Sequence, residues 1–417
     1  MCEEILPGLF RNKIPLPDSP LKYLNSYIIK DSQRSLIVDT GLNRKECLDA
    51  MHKGLAALGI DLAQSDIFIT HLHADHFGLV SKLVTDTTNI LFSRPEKELM
   101  ESWEGFGAMV DYAALNGFPK NELEAALDKH PGAKFGADWI PELKILDDGD
   151  RIDVADYHFK CVTTPGHTLG HTCLYEPSQR ILISGDHILI DITPNIQCWW
   201  EDGDPLADYV KSLDKIYDLD VDQVLPGHRR LFADHHRRIS ELKNHHRERL
   251  AEVMTLLAGG PFTAYETASR MTWDLQAPSW SDFPVAQQWF ATGEAIAHLR
   301  YIERKGLIER ELVDEFDDRE PVPMAHISLA ERTELLLVAP ATAATIAKFA
   351  HGAASDLLSS LELVVGADVP RLIAPAMNPR MFAHPTVQEN LGYLREKGWR
   401  VLEPQEGWMA CGDRGIG

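Results

Sequence analysis

The segment Ile67–Phe77, IFITHLHADHF, constrains this chain more than any other. A short apolar run ends at Thr70, and His71, His73, Asp75 and His76 follow at once. In extended backbone, side chains two apart project to the same side, so His71 and His73 face one way. His76 sits where a helix is predicted to begin, with Phe77, Leu79, Val80 and Leu83 as its apolar face. A strand-end loop feeding a helix can aim all four polar side chains into one pocket. Imidazole nitrogens with carboxylate oxygens suit zinc first, with iron or manganese as alternatives.

Three further segments place a polar residue just past an apolar strand. They are TPGHTLGH with His167 and His171, ISGDH with Asp186 and His187, and VLPGH with His228. A glycine before the ligand lets the backbone turn sharply there. A single buried histidine is usually a satisfied core residue, but packing alone does not select four strand-end loops that all carry His or Asp. His171 and His187, neighbours of ligand positions, read equally well as supports or structural residues. Asp39, at the end of SLIVDTG, either orients a ligand imidazole through its second nitrogen or forms the turn before Gly41. Seven ligands make two sites of three plus one shared carboxylate. Open positions remain for a water, and a metal-bridging hydroxide is a strong nucleophile at neutral pH.

A chain of 417 residues exceeds one ordinary core, so two or three domains are expected. Up to about residue 230 strands and helices alternate, with a helical insertion over Pro95–Lys129 that either covers the site or packs beside it. Asp234–Leu257 is a predicted long charged helix, followed by helices over Thr263–Arg270 and Ala286–Lys305 and a strand over Leu307–Leu312. Val313–Pro323 is acidic and reads as a linker. The later runs ELLLVAPA and RLIAPAM are continuous apolar strands of the kind found in a covered parallel sheet.

No cysteine forms a C-x-x-C pair, so neither a thiolate zinc site nor a disulfide framework is indicated. The net charge of −22 repels phosphate backbones. With no apolar run of membrane length and no basic-then-apolar N-terminus, a cytoplasmic protein without a membrane partner is expected.

The segments His71-Leu-His73-Ala-Asp75-His76, Pro165-Gly-His167, Gly185-Asp186 and Pro226-Gly-His228 occur in the order of the metallo-β-lactamase superfamily motifs, which they resemble over about residues 5–230. The resemblance implies an αββα sandwich with its metals at the edge. It implies that His71, His73 and His167 hold one metal, that Asp75, His76 and His228 hold the other, and that Asp186 bridges them. Asp75 is the candidate catalytic residue for proton transfer. Asp186 stands where zinc β-lactamases commonly carry Cys, and His73 where flavodiiron oxygen reductases carry Glu, so neither branch fits. A glyoxalase II-like hydrolase of thioesters, lactones or phosphodiesters remains.

The helices after Asp234 resemble the winged-helix extension of a subgroup that includes a single-strand ribonuclease and thioester-cleaving enzymes. Its candidate second helix mixes His298, Arg300, Arg304 and Lys305 with Glu294 and Glu303, which reads as a solvated face more than a phosphate track. The pairs His235–His236 and His245–His246 likewise read as surface residues. Trp199 and Trp200, with Asn195 and Gln197, either line an apolar pocket or belong to the core.

His326-Ile-Ser-Leu-Ala, Ala339-Pro-Ala-Thr-Ala-Ala-Thr-Ile-Ala-Lys348, Ala374-Pro-Ala-Met-Asn378 and Ala410-Cys411-Gly-Asp resemble the flavin-dependent phosphopantothenoylcysteine decarboxylase domain over about residues 320–417. That resemblance implies roles for His326 in oxidative decarboxylation, Asn378 in binding the substrate carboxylate and Cys411 in reducing the intermediate. Ala344 departs from the Asn or Asp usual there. The family's first strand, Gly-rich turn and helix, which help hold the flavin phosphate, find no counterpart before His326. FMN binding by this piece alone is therefore not expected, and a half-sheet of about three strands would leave an exposed edge.

The expected architecture is α+β: an αββα sandwich over 1–232, a winged-helix extension over 233–312, a linker over 313–322 and a partial α/β flavodoxin-like segment over 323–417. The expected function is two-metal hydrolysis of a small-molecule thioester or related ester. A single-strand-specific ribonuclease on the same metals is the alternative, with nucleic acid as its partner, and a flavin-dependent decarboxylase comes third. A homodimer is admitted as the assembly.

Overall fold

The computed structural model describes residues 2–102, 105–127, 134–273, 279–310, 330, 333–354, 357–402, 406–408 and 414–416. The chain divides into two compact units, Met1–Glu309 and Arg310–Gly417. In the first unit a seven-stranded sheet runs in chain order: β1 (Cys2–Leu6), β2 (Leu9–Pro15), β3 (Tyr23–Ile29), β4 (Ser35–Val38), β5 (Ser65–Phe68), β6 (Asn89–Ser93) and β7 (Leu143–Leu146). β1 to β4 pair antiparallel, and β4 to β7 pair parallel. A five-stranded sheet follows, of β8 (Arg151–Val154), β9 (Tyr157–Thr163), β10 (Thr172–Glu176), β11 (Ile181–Gly185) and β12 (Gln223–Pro226) in the order β12-β11-β10-β9-β8.

The layers follow from alternation. On β3 to β5, Tyr27, Ile29, Leu36, Val38 and Phe68 face the second sheet and meet Phe159, Cys161, Leu174, Ile183 and Leu225. Their neighbours Ile28, Ile37 and Ile67 face outward onto the helix Lys45–Leu58 through Cys47, Met51 and Leu55. The outer face of the second sheet packs Val162, Leu182 and Val224 against the helices Pro205–Tyr217, His235–Leu257 and Val285–Arg304. With both faces of both sheets covered, β4 and β11 are buried along their whole length, which is why they read as unbroken apolar runs. The result is the expected αββα sandwich.

Several expectations need correcting. His235 and His246 are buried, each 2% exposed, because the inward stripe of their helix runs His235, Ile239, Leu242, His246, Arg249, Val253 at helical spacing. Only His236 of the first pair is exposed, and His245 is half-buried. His298 and Arg300 are also buried, on a helix that packs Trp289, Ala291, Ala295, Ile296 and Ala297 into the core. Residues 307–310 are irregular rather than a strand, and 311–312 lie outside the described residues, so no hairpin follows that helix among the described residues. The insertion is helical as expected, its described part made of three helices, Arg94–Glu101, Gly107–Leu115 and Lys120–Leu127.

The second unit holds a parallel sheet of β13 (Leu336–Ala341), β14 (Arg371–Pro375) and β15 (Arg400–Val401), with a short hairpin of β16 (Glu406–Trp408) and β17 (Arg414–Ile416). One face of β13, Leu336 and Val338, packs on Ile346, Phe349, Leu391 and Leu394, while Leu337 on the other face is exposed. The predicted linker 313–322, His326 and Cys411 lie outside the described residues.

Candidate metal centre

β5 ends at Phe68, and the chain then crosses from sheet to helix through Ile69–His73 before the short helix Ala74–Phe77. Phe77, Leu79, Val80 and Leu83 are buried and hold this corner against the outer face of the first sheet. The other ligands come from the second sheet: His167 from the β9–β10 loop, Asp186 just past β11 and His228 just past β12. β3 of the first sheet ties the last of these loops down. Asn25 N donates to Gly227 O at 2.7 Å, Asn25 Nδ2 to Pro226 O at 2.9 Å and the Tyr27 hydroxyl to Pro226 O at 2.8 Å.

Three groups of ligand atoms, each within 4.8 Å of one another, result: His71, His73 and His167; His71, His76 and Asp186; and Asp75, His76 and His228. His71 Nε2 lies 3.0 Å from His73 Nδ1, and the Nε2 atoms of His76 and His228 are 3.3 Å apart. Asp186 sits between the clusters, with Oδ1 3.6 Å from His76 Nε2 and Oδ2 3.4 Å from His228 Nε2 and 3.8 Å from His167 Nε2. His71, His76 and His228 are fully buried, while Asp75 keeps 21% of its side chain exposed.

Four of the five ligand histidines have their outward nitrogen engaged. His167 Nδ1 donates to Asn195 O at 2.8 Å and His228 Nδ1 to Tyr23 O at 3.0 Å. His76 Nδ1 donates to Asp39 Oδ2 at 2.7 Å. His71 Nδ1 meets the Thr70 hydroxyl at 3.0 Å, which itself lies 2.9 Å from Asp39 Oδ2. A carboxylate and a carbonyl only accept, so the outward nitrogens they meet carry a proton, and Nε2 is the atom of those rings that faces the site and would offer its lone pair to a cation once its own proton has left. Asp39 thus orients His76 directly and His71 through Thr70, at a left-handed φ of 60° that Asp tolerates. Asp39→Asn, which keeps that backbone, is expected to weaken metal binding about 10–100-fold in a titration against a competing chelator.

These residues fit a pair of divalent cations. His167 Nε2 and Asp186 Oδ1 are buried with no hydrogen-bond partner, an arrangement that costs about 1–3 kcal/mol per group unless something satisfies it. The space is reserved by Gly227, where a Cβ would come 2.6 Å from Asp186 Oδ1 and 2.9 Å from His76 Cε1. Burial, with the neighbouring imidazoles, suppresses protonation at His71 and brings His73 down to about 3. At His228 burial is outweighed by Asp186 and Asp75, which hold it up at about 10. The same contest, with Asp39 as the largest opposing charge, holds His76 well above the usual imidazole range. A cation entering this cluster therefore displaces protons.

The neighbours of the ligands sort differently. His171 Nε2 accepts from Asp186 N at 3.1 Å and its Nδ1 meets the Thr164 hydroxyl at 2.8 Å, so it holds the Asp186 backbone and joins no cluster. His187 is buried beside the Tyr209 ring at 5.3 Å. Trp199 is a core residue, 8% exposed and 5.5 Å from the Trp289 ring. Asn378 is exposed at the start of the four-residue helix Pro379–Phe382. The orienting carbonyls of Tyr23 and Asn195 and the carboxylate of Glu96 carry no motif that sequence reading could find.

The family model described as the metallo-beta-lactamase superfamily matches residues 21–228, and one described as flavoprotein matches residues 282–417. A metallo-beta-lactamase family protein from Thermus thermophilus superposes with a TM-score of 0.63 at 29% identity, over 74% of this chain and 97% of that one. A beta-lactamase domain protein from Burkholderia ambifaria gives 0.62 at 26% identity, over 76% and 91%. Both shares exceed the part matched by the family model, so the likeness takes in residues outside 21–228.

A probable phosphopantothenoylcysteine decarboxylase from Streptococcus mutans is 40% identical over 98 residues, 24% of this chain and 55% of that protein. A coenzyme A biosynthesis bifunctional protein from Bacillus subtilis is 42% identical over 104 residues, 25% of each. The chain spans little more than half of the first and a quarter of the second. Two sheets with helices outside them, ligand loops at one edge and these matches lead to one conclusion: the N-terminal part of the chain belongs to the metallo-beta-lactamase superfamily, as a metal-dependent hydrolase domain, and is followed by a flavoprotein-type region resembling phosphopantothenoylcysteine decarboxylase homologues.

Proposed function

We propose that the N-terminal domain hydrolyses a small-molecule thioester or related ester with two divalent metals, zinc foremost and iron or manganese next. His71, His73 and His167 hold one, Asp75, His76 and His228 the other, and Asp186 is shared. The observation that carries this reading is the convergence of seven side chains from two sheets, with Asp186 within 4 Å of ligand atoms in both clusters. Bound cations of this kind supply an activated water and polarise the carbonyl under attack. The chain's own part is positional. Asp39, Thr70, Tyr23 and Asn195 fix the imidazoles, and the glycine before His228 keeps the space beside Asp186 open. Asp75 Oδ2, 3.3 Å from His228 Nε2 on the partly exposed side, is placed to take a proton and return it to the leaving group.

The nuclease reading is weaker because the basic residues of the helix Val285–Arg304 do not form a track. Arg300 is buried and spends its guanidinium on Glu201 at 3.1 Å and the Tyr112 hydroxyl at 3.0 Å, and Arg304 donates to Asp202 O at 2.6 Å. No described helix is long and apolar enough to cross a membrane. Five described cysteines are free, which supports a reducing, cytoplasmic setting. We assign no FMN to the C-terminal segment alone.

The test is a substrate panel of S-lactoylglutathione, simple acyl thioesters and a single-stranded RNA oligonucleotide, with metal content measured on the same protein. Thioester turnover is expected, lost after chelator treatment and restored by zinc. Cleavage of RNA alone would reverse the assignment, and full activity in metal-free protein would end the metal reading.

A further inference from the structure

Glu96 lies in the helix Arg94–Glu101, away from every ligand in sequence, and is completely buried. Its Oε2 accepts from Leu72 N at 3.1 Å, between the ligands His71 and His73. Its Oε1 accepts from Gly170 N at 2.8 Å and from the Thr168 hydroxyl, in the loop that carries His167. One carboxylate therefore joins the ligand loop of the first sheet to the ligand loop of the second. All three partners are neutral. An ionised carboxylate buried without a cation is costly, so this one is retained against a penalty. Burial pushes Glu96 up to about 7 even with three donors opposing it. The seat is close-fitting as well: a Cβ on Gly170 would come 2.5 Å from Ser93 Oγ, 2.8 Å from Glu96 N and 2.9 Å from Glu96 Cγ.

We propose that Glu96 is the positioning residue for the metal held by His71, His73 and His167, locking together the two loops, one from each sheet, that supply those ligands. This rests on the metal assignment above. It follows from the donor count. His71 and His73 come from one loop and His167 from another, so this cluster stays assembled only if the loops keep their separation. A carboxylate can accept from both sides at once. An amide has one acceptor oxygen and a donor nitrogen, so it can serve one loop only while its N–H groups face the N–H of the other. Glu96→Gln thus keeps the shape and breaks the link.

The experiment uses the full chain, stripped of metal, titrated with zinc against a competing chelator and with cobalt(II) followed by absorption. Wild type is expected to take up two ions. Glu96→Gln is expected to weaken one of them about 10–100-fold and leave the other in place, and the cobalt signature it loses should be the one lost in His73→Ala. Thr168→Val, which removes one of the three donors, serves as the milder variant and is expected to show a smaller loss at the same site. Melting of the metal-free proteins monitors the fold. A lower melting temperature with both affinities unchanged, or equal weakening of both ions, would overturn the proposal and leave the metal assignment standing. A wild-type protein that takes up no ion would overturn both.

Discussion

Asp186→Ala is expected to lower kcat/KM on the thioester by about three orders of magnitude or more, equivalent to ~4 kcal/mol of transition-state stabilisation. The size follows from position. In the proposed assignment every other ligand serves one ion, whereas Asp186 reaches His76 and His228 with its two oxygens and lies 3.8 Å from His167. Truncation removes the carboxylate that the two ends share. The backbone there is held independently by Asp186 N to His171 Nε2, so the loop itself should persist. Steady-state kinetics beside zinc analysis and circular dichroism check this. A folded variant with wild-type turnover would refute the site.

Trp289→Ala is expected to destabilise the first unit by about 3–5 kcal/mol, lowering its melting midpoint by roughly 10 °C. Trp289 is 1% exposed, with the Trp199 ring at 5.5 Å and the Phe106 ring at 6.4 Å. The flavoprotein match begins at residue 282, before this helix, yet the helix packs within the unit that ends at Glu309. The substitution separates these views. If the helix serves the hydrolase, the first unit loses stability; a loss under about 1 kcal/mol would show that it is dispensable there. The consequence reaches the site as well. Gly293 O of this helix accepts from Cys198 N at 3.1 Å, three residues beyond the Asn195 carbonyl that orients His167.

Much of the site was readable along the chain because each ligand lies in a segment that leaves an apolar strand, and such segments are local features. β5, β11 and β12 are short, mostly buried and followed within three residues by His or Asp. The helix from His235 misled for an equally physical reason. In the pairs His235–His236 and His245–His246 one member faces the core and its neighbour does not, and histidine is polar enough for a stripe containing it to pass as solvated. Arg300 likewise looked like a surface cation until Glu201 and Tyr112 appeared opposite it.

The residue types and spacing of IFITHLHADHF, TPGH, SGD and PGH determined by themselves that this chain would hold a metal-type cluster built from strand-end loops, and their resemblance to a known family supplied the two-sheet fold. Only the tertiary structure decided the rest: that Asp39 faces His76, that the carbonyls of Tyr23 and Asn195 set the tautomers, and that Glu96 spans the two loops. The reason is range. A ligand announces itself through its own strand, whereas a supporting group is defined by what lies across from it. His228 meets Tyr23, and Glu96 meets Gly170, only after two sheets distant in sequence have packed face to face.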